Sequence, residues 1–148
     1  MGTRRKGREL ALQILYQLDV QDRLSDEQAL ALFWQNFART AEEGAPASEE
    51  LDGEDREFAN QLVRGVRQHL DELDAAISRA SRNWRLERMA RVDRNLLRLA
   101  LYELKFGDDV PAKVAINEAI EIAKRYGTAE SPAFVNGILD RCLEDLGA

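Results

Sequence analysis

The stretch that decides the fold is DVPAKVAINEAIEIAKRYGTAESPAFVNGILD, residues Asp109 to Asp140. It contains two segments in which apolar residues recur every three or four positions, the period of a helix buried along one face. The first segment stops at Gly127. Ser131-Pro132 then supplies an N-cap and a first-turn proline for the next helix. The stretch therefore predicts two consecutive helices joined by a short turn.

The same helical period extends over nearly the whole chain. Ser25-Asp26-Glu27-Gln28 has the spacing of a capping box at the start of a second helix. The segment from Glu54 to Arg82 fits one long helix, or two helices with a bend near Gly65. We find no alternating pattern typical of strands. We therefore predict an all-α fold of six or seven helices in two packed helical subdomains.

The domain organisation follows from length and from one acidic segment. With 148 residues, the chain is long enough for one domain with its own core. An acidic stretch containing Gly44, Pro46 and Gly53 interrupts the helices at residues 41–53 and indicates a solvated loop. We predict a single domain, with subdomains at about residues 1–82 and 83–148.

Several classes of protein are excluded by composition. No run reaches the roughly 18 apolar residues of a membrane span, and polar residues such as Glu9 interrupt any signal-peptide core. Cys142 is the only cysteine, so no intrachain disulfide forms and a cytoplasmic location is expected. One cysteine with one histidine, His69, does not make an ordinary zinc site. We expect both to be ordinary helix residues, with no metal.

The chain carries no recognisable catalytic motif. It has neither a glycine-rich nucleotide loop nor a nucleophile motif. The pair Asp108-Asp109 fits turn formation better than acid–base chemistry. We therefore predict that the protein is not an enzyme and uses no cofactor.

The beginning of the first helix is unusually basic, with cations at Arg4, Arg5, Lys6 and Arg8. The chain has a formal charge of −6, which would be −10 without this cluster. Exposed cations at a helix N-terminus oppose the macrodipole by about 0.3–1 kcal/mol each. Such a cluster favours a polyanion as partner. The alternative is a basic tail that aids only solubility.

Further groups suited to RNA follow along this helix. Arg5, Glu9, Gln13 and Tyr16 fall on one stripe, where the amide suits a base edge and the ring suits stacking. Tyr16 alone would also fit the edge of the core. The stripe predicts a site for single-stranded RNA.

A second arginine series has a period of three and consists of Arg79, Arg82, Arg85, Arg88, Arg91 and Arg94. On a continuous helix this spacing winds around the surface, so we interpret the series as solvated charge. It would widen a nucleic-acid surface if the helix broke near Trp84.

Three stretches together resemble the NusB family of bacterial transcription antitermination factors. They are RRKGRELALQILYQLD (4–19), VDRNLLRLALYEL (92–104) and the stretch at 109–140. The resemblance is weakest at residues 21–53. It implies an all-α fold and no enzymatic activity. It also implies binding to the boxA element of ribosomal RNA leaders and phage transcripts together with NusE, a ribosomal small-subunit protein, in an antitermination complex on RNA polymerase.

The resemblance also assigns roles to residues. The family's arginine-rich RNA motif matches Arg4, Arg5, Lys6 and Arg8, and Gln13 and Tyr16 follow at the family spacing. The turn entering the last helix joins the RNA surface through Glu130, Ser131 and Phe134, although Phe134 also fits a core residue. An acid facing RNA weakens phosphate contact, so Glu130 would limit affinity.

The NusE-facing surface would include Asp93 and Tyr102, although Asp93 also fits a local cap or pair. Two other functions fit the sequence. One is an RNA-targeting accessory domain, such as the NusB-like domain that begins certain rRNA cytosine methyltransferases. The other is a helical scaffold that binds only proteins. Some family members pair, so a homodimer is a further expectation.

Overall fold

The computed structural model describes residues 4–21, 23–42, 53–82, 84–107 and 110–147. Within these ranges the chain is helical and contains no β-strand, which confirms the predicted all-α fold. The α-helices are α1 (Arg5–Val20), α2 (Asp26–Glu42), α3 (Gly53–Gln68), α4 (Leu70–Ala80), α5 (Arg91–Phe106), α6 (Ala112–Tyr126) and α7 (Ser131–Asp145). A short 3-10 helix, Leu86–Arg88, precedes α5.

The chain forms two compact units, Met1–Arg64 and Gly65–Ala148. The sequence placed a subdomain boundary near residue 82, whereas the division between these two units falls within the α3 segment of the chain. The difference lies in α4, which packs against α5 and α7 and therefore groups with the C-terminal helices.

The first unit is built on α1 and α2, which pack against each other. The helical period is visible in the residues that α1 buries, which include Leu10, Ala11, Ile14, Leu15 and Leu18. The predicted capping box is present. The N–H of Gln28 donates to Ser25 Oγ at 3.2 Å, and the N–H of Ser25 donates to Gln28 Oε1 at 2.9 Å.

The second unit is arranged around α5, which packs against α4, α6 and α7. Its apolar face buries Leu96, Leu97 and Leu101 almost completely. Arg98 is 7% exposed and forms a bidentate ion pair with Asp74 of α4, through bonds of 2.7 and 2.9 Å. Two parallel N–H···O bonds fix geometry as well as charge, so this pair sets the register of α4 against α5.

The predicted long helix at residues 54–82 is two helices, but the break is not at Gly65. His69 separates α3 from α4 with φ −109° and ψ 21°. Gly65 lies inside α3, where a Cβ atom would overlap the ring of Tyr102. The glycine therefore permits close packing of an aromatic ring on the helix backbone and does not bend the helix.

The start of α7 differs in one detail from the prediction. Pro132 lies in the first turn as expected, but Ser131 is the first helical residue and does not act as the N-cap. Its Oγ accepts a hydrogen bond from the N–H of Thr128 at 2.9 Å, which ties the preceding turn to the helix. Gly127 is required beside it, because a Cβ atom there would clash with the Ser131 side chain.

Two predicted features lie outside the described residues. They are most of the acidic loop, at residues 43–52, and the pair Asp108-Asp109. Across the described ranges, no helix is both long and apolar enough to cross a membrane.

Candidate nucleic-acid interface

The basic cluster lies at the first turn of α1. Arg4 precedes the helix in a left-handed conformation, φ 59° and ψ 23°, which is uncommon for a residue with a side chain. The first turn contains no acid, and Arg4 makes no side-chain cap. Arg4 and Arg5 are exposed and Lys6 is half-buried, whereas Arg8 is buried at 3% exposure.

An aromatic ring of α3 holds two of these cations. The Cζ atoms of Arg4 and Arg8 lie 4.9 and 5.2 Å from the ring centroid of Phe58. A cation over a ring face is stabilised by about 0.5–1 kcal/mol at exposed sites and by more when desolvated. Gly7 allows this approach, because a Cβ atom there would lie 2.9 Å from Phe58 Cδ2. The ring offsets part of the unfavourable charge–dipole arrangement.

The predicted stripe on α1 is only partly exposed. Gln13 is exposed and Tyr16 is 40% exposed, so Tyr16 is not a core-edge residue. Glu9 is buried at 2% and therefore does not belong to the accessible stripe. Beside Gln13 and Lys6 lies a groove of about 260 Å³ with Phe33 and Phe37 among its lining residues. Amide, ammonium and aromatic groups thus border one depression between α1 and α2.

In the second unit, the turn entering α7 contains the other three predicted RNA residues. Glu130 is exposed, and its Oε2 accepts a hydrogen bond from Thr128 Oγ1 at 3.2 Å. Ser131 is 1% exposed, so its side chain serves the turn. Phe134 is half-buried and makes an edge-to-face contact of 5.8 Å with Trp84. One part of Phe134 therefore packs while another part stays accessible.

The two residues predicted to face a protein partner lie on α5. Asp93 is 9% exposed, and its buried Oδ1 has no hydrogen-bond partner among the described residues. Tyr102 is half-buried, with its ring centroid 6.2 Å from that of His69 and 5.3 Å from that of Phe106. An unsatisfied buried carboxylate oxygen is costly, because it loses its hydrogen bonds to water without gaining one in the fold.

An ion network borders this aromatic group. Glu72 of α4 accepts from Lys105 Nζ at 2.7 Å and lies 2.8 Å from His69 Nδ1. The hydrogen bond from Lys105, followed by that from His69, lowers the pKa of the Glu72 carboxyl. His69 also stacks on Phe106 at 4.1 Å, so it is an ordinary packed residue.

The second arginine series is not carried by one continuous helix. Helix α4 ends at Ala80 and α5 begins at Arg91, so Arg82, Arg85 and Arg88 lie between the two helices. All three are exposed. The prediction that the series winds around one continuous helix was therefore wrong. Three of its members lie with Trp84 in the connection between α4 and α5.

The described residues give little support for metal binding or for thiol chemistry. The described part of the chain has no group of three or more side chains suited to a metal ion. Cys142 is buried, and burial raises the pKa of its thiol to about 11. A thiol of this kind is inert at neutral pH, in agreement with its interpretation as a packing residue.

A model of the NusB family matches residues 5–144 of this chain. The chain belongs to the NusB family. NusB proteins are non-enzymatic RNA-binding transcription antitermination factors, so the prediction that this chain is not an enzyme is confirmed.

Similar proteins are matched over nearly their full length. The transcription antitermination protein NusB of Myxococcus xanthus is 52% identical, over 95% of this chain and 94% of its own. The corresponding protein of Geobacter sulfurreducens is 51% identical, over 99% and 97%.

Solved structures agree with the family assignment. NusB of T. maritima matches with a TM-score of 0.80 and 40% identity, over 96% of this chain and 91% of that one. A structure of the antitermination factors NusB and NusE in complex with dsRNA matches with a TM-score of 0.79, over 98% of both chains. At 23% identity, that second likeness shows the NusB fold alone.

Two residues of the candidate interface were not predicted from the sequence. Phe58 fits the apolar period of the segment at residues 54–82, and no local pattern indicates a partner about 50 residues away in the chain. Trp84 was considered only as the place of a helix break. Its isolation between arginines was the available signal.

Proposed function

We propose that this NusB-family protein is a transcription antitermination factor that binds single-stranded boxA RNA together with NusE. The proposal rests on the start of α1. Four cations cluster there, an exposed glutamine and an exposed tyrosine follow on the same helix, and the whole chain has a formal charge of −6. The transcription antitermination proteins of Myxococcus xanthus and Geobacter sulfurreducens, which are 52% and 51% identical to this chain, support the same role.

Within the basic cluster, we assign different tasks to different cations. Arg4 and Arg8 stack on Phe58, and a stacked guanidinium can still offer its N–H edge to a phosphate. The burial of Arg8 makes it chiefly a positioning residue. Arg5 and Lys6 supply two of the four phosphate contacts and the N–H edges of Arg4 and Arg8 supply the other two, while Gln13 and Tyr16 reach bases farther along α1.

At the turn into α7, the accessible part of Phe134 would stack on a base. Ser131 shapes this turn through Thr128, since its own side chain is buried. Glu130 repels phosphate and so limits affinity, which favours an assembly in which a second protein completes the RNA surface.

The protein partner is proposed to be NusE, docked on the α5 surface that contains Asp93 and Tyr102. The unpartnered Oδ1 of Asp93 would accept a hydrogen bond from that partner. The assembly would act on elongating RNA polymerase, in the cytoplasm where bacterial transcription takes place. A homodimer remains a prediction, for which light scattering with and without RNA is the direct measurement.

A salt titration tests the RNA site. Four phosphate contacts to single-stranded RNA give a slope of log K against log salt of about −3, at about −0.7 per contact. Arg5→Ala/Lys6→Ala should weaken binding of labelled boxA RNA and reduce the slope to about −1.5. Lys113→Ala/Lys124→Ala, which removes two exposed cations from α6, is the matched control and should leave the slope unchanged.

A scrambled RNA of the same length separates the alternatives. The proposal requires that boxA RNA bind more tightly than the scrambled sequence. Retention of neither RNA, with NusE still bound, would identify a protein-only scaffold. A slope unaffected by Arg5→Ala/Lys6→Ala would remove the basic cluster from the RNA site.

A further inference from the structure

The described part of the connection between α4 and α5, residues 81–82 and 84–90, contains a second group of side chains suited to RNA. We propose that this α4–α5 connection binds a further single-stranded segment of the transcript, with a base stacked on Trp84 and phosphates paired with Arg82 and Arg85. The identity of the RNA rests on the proposed function, whereas the site itself rests on the second unit alone.

Trp84 is the centre of the proposed site. Its side chain is 56% exposed, the highest value among the large apolar side chains in the described part of the chain. The other tryptophan, Trp34, is 6% exposed and donates through Nε1 to Asn60 at 2.7 Å. Indole faces stack on any base, and such contacts contribute strongly to binding of single-stranded nucleic acid. The exposed ring is therefore available for a ligand.

The backbone holds this ring in place without burying it. Ser81 is 2% exposed, and its carbonyl accepts from the N–H of Trp84 at 2.6 Å. The Ser81 Oγ in turn donates to the carbonyl of Trp84 at 3.0 Å. Arg94 Nη1 then donates to the carbonyl of Leu86 at 3.1 Å. Because Ser81, Trp84 and Leu86 are held by these hydrogen bonds, they lose less entropy when a ligand binds.

Two grooves flank Trp84, and their chemistry differs. One groove, of about 240 Å³, has Phe134 and Arg141 of α7 on its wall. The other, of about 440 Å³, is lined by Arg82 and Arg85 together with Glu87. The ring of Trp84 thus lies between a depression that contains a second aromatic ring and one in which two cations outnumber a single acid. A nucleotide can use both, because its base stacks on aromatic rings and its phosphate is anionic.

The charge of this surface indicates which kind of partner it binds. Residues 79–94 contain six arginines against Glu87 and Asp93, a net charge of +4 in a chain of net charge −6. Arg94 is hydrogen-bonded to the backbone of Leu86, whereas Arg82, Arg85 and Arg88 are exposed. A polyanion with flat bases matches both the charge and the ring better than an apolar protein face does. We therefore assign the surface to RNA and not to a protein.

The test uses the full chain and boxA RNA extended on both sides by single-stranded uridines. Trp84→Ala should weaken binding of this RNA by about 5- to 100-fold, the range expected for loss of one base–aromatic stack. Trp84→Phe retains a ring and should stay close to wild type. Leu32→Ala, which removes an exposed apolar side chain from α2, is the matched control and should change nothing.

The phosphate contacts are tested separately. Arg82→Ala/Arg85→Ala should reduce the magnitude of the salt slope by about 1.4, at about 0.7 per contact. Lys113→Ala/Lys124→Ala removes the same charge from α6 and should leave the slope as in wild type. Iodide quenching of tryptophan emission gives an independent measure, because Trp84 is exposed and Trp34 is buried. Bound RNA should protect the quenchable emission.

The outcomes separate this site from the basic cluster. Wild-type affinity of Trp84→Ala for the extended RNA, or unprotected emission, would overturn the α4–α5 site and leave the α1 site intact. Loss of binding in Trp84→Ala but not in Arg5→Ala/Lys6→Ala would support this site and overturn the α1 site. Loss of NusE binding in Trp84→Ala, with RNA affinity unchanged, would show a protein-docking surface and overturn the proposal. Thermal unfolding by circular dichroism verifies that each variant is folded.

Discussion

At the scale of single residues, the ring of Phe58 explains how the fold tolerates the basic cluster. Cations at the start of α1 oppose the helix dipole, yet Arg4 and Arg8 each lie about 5 Å from the face of Phe58. The ring makes a charged helix start compatible with a stable fold. Phe58 should therefore matter to stability and to RNA binding alike, although it touches RNA nowhere in the proposed mechanism.

We expect Phe58→Leu to lower the free energy of unfolding by about 1–2 kcal/mol, from two weakened cation–ring contacts and imperfect repacking. Affinity for boxA RNA should fall with it, because Arg4 and Arg8 lose their orientation. Urea unfolding and RNA titration provide the two measurements. Phe58→Tyr keeps the aromatic face and should preserve both. Equal stability and affinity in Phe58→Leu would show that the ring has no such role.

At the scale of helices, ion pairs lock α4 onto α5. Arg98 and Asp74 form the more buried pair, and Lys105 and Glu72 form a second, more exposed pair two residues nearer the start of α4. The hydrogen bond from Lys105 lowers the pKa of Glu72 below its usual value of 4.5. A carboxyl with a lowered pKa in the folded state stabilises the fold at neutral pH. This contribution is lost as the pH falls through the folded-state pKa.

The pH dependence of unfolding tests this pair. Glu72→Gln should lose less stability than wild type when the pH is lowered from neutrality to below 4.5, since it has no carboxyl to protonate. Chemical unfolding at a series of pH values gives the comparison. Glu121→Gln, which removes a carboxylate paired with Lys124 within α6, is the control. Parallel wild-type and Glu72→Gln curves would contradict the contribution of the Lys105–Glu72 pair.

At the scale of the whole molecule, periodicity was sufficient to predict the helices. Helices α1, α2, α6 and α7 occupy the predicted segments because each buries one regular stripe. The break at His69 was misplaced at Gly65, since a glycine needed for the approach of Tyr102 has the same sequence signature as a bend. The contact between Phe58 and Arg8 could not be predicted, because the spacing of residues in the sequence shows only which side chains lie on the same face of one helix.

Both the family assignment and the geometry support the proposal that the start of α1 binds the transcript. The most direct measurement is photocrosslinking of boxA RNA to the full chain, with NusE present and absent, followed by peptide mapping. We expect crosslinks within residues 4–16 under both conditions, and we expect their loss in Arg5→Ala/Lys6→Ala. Crosslinks confined to other helices, with residues 4–16 unmodified, would contradict it.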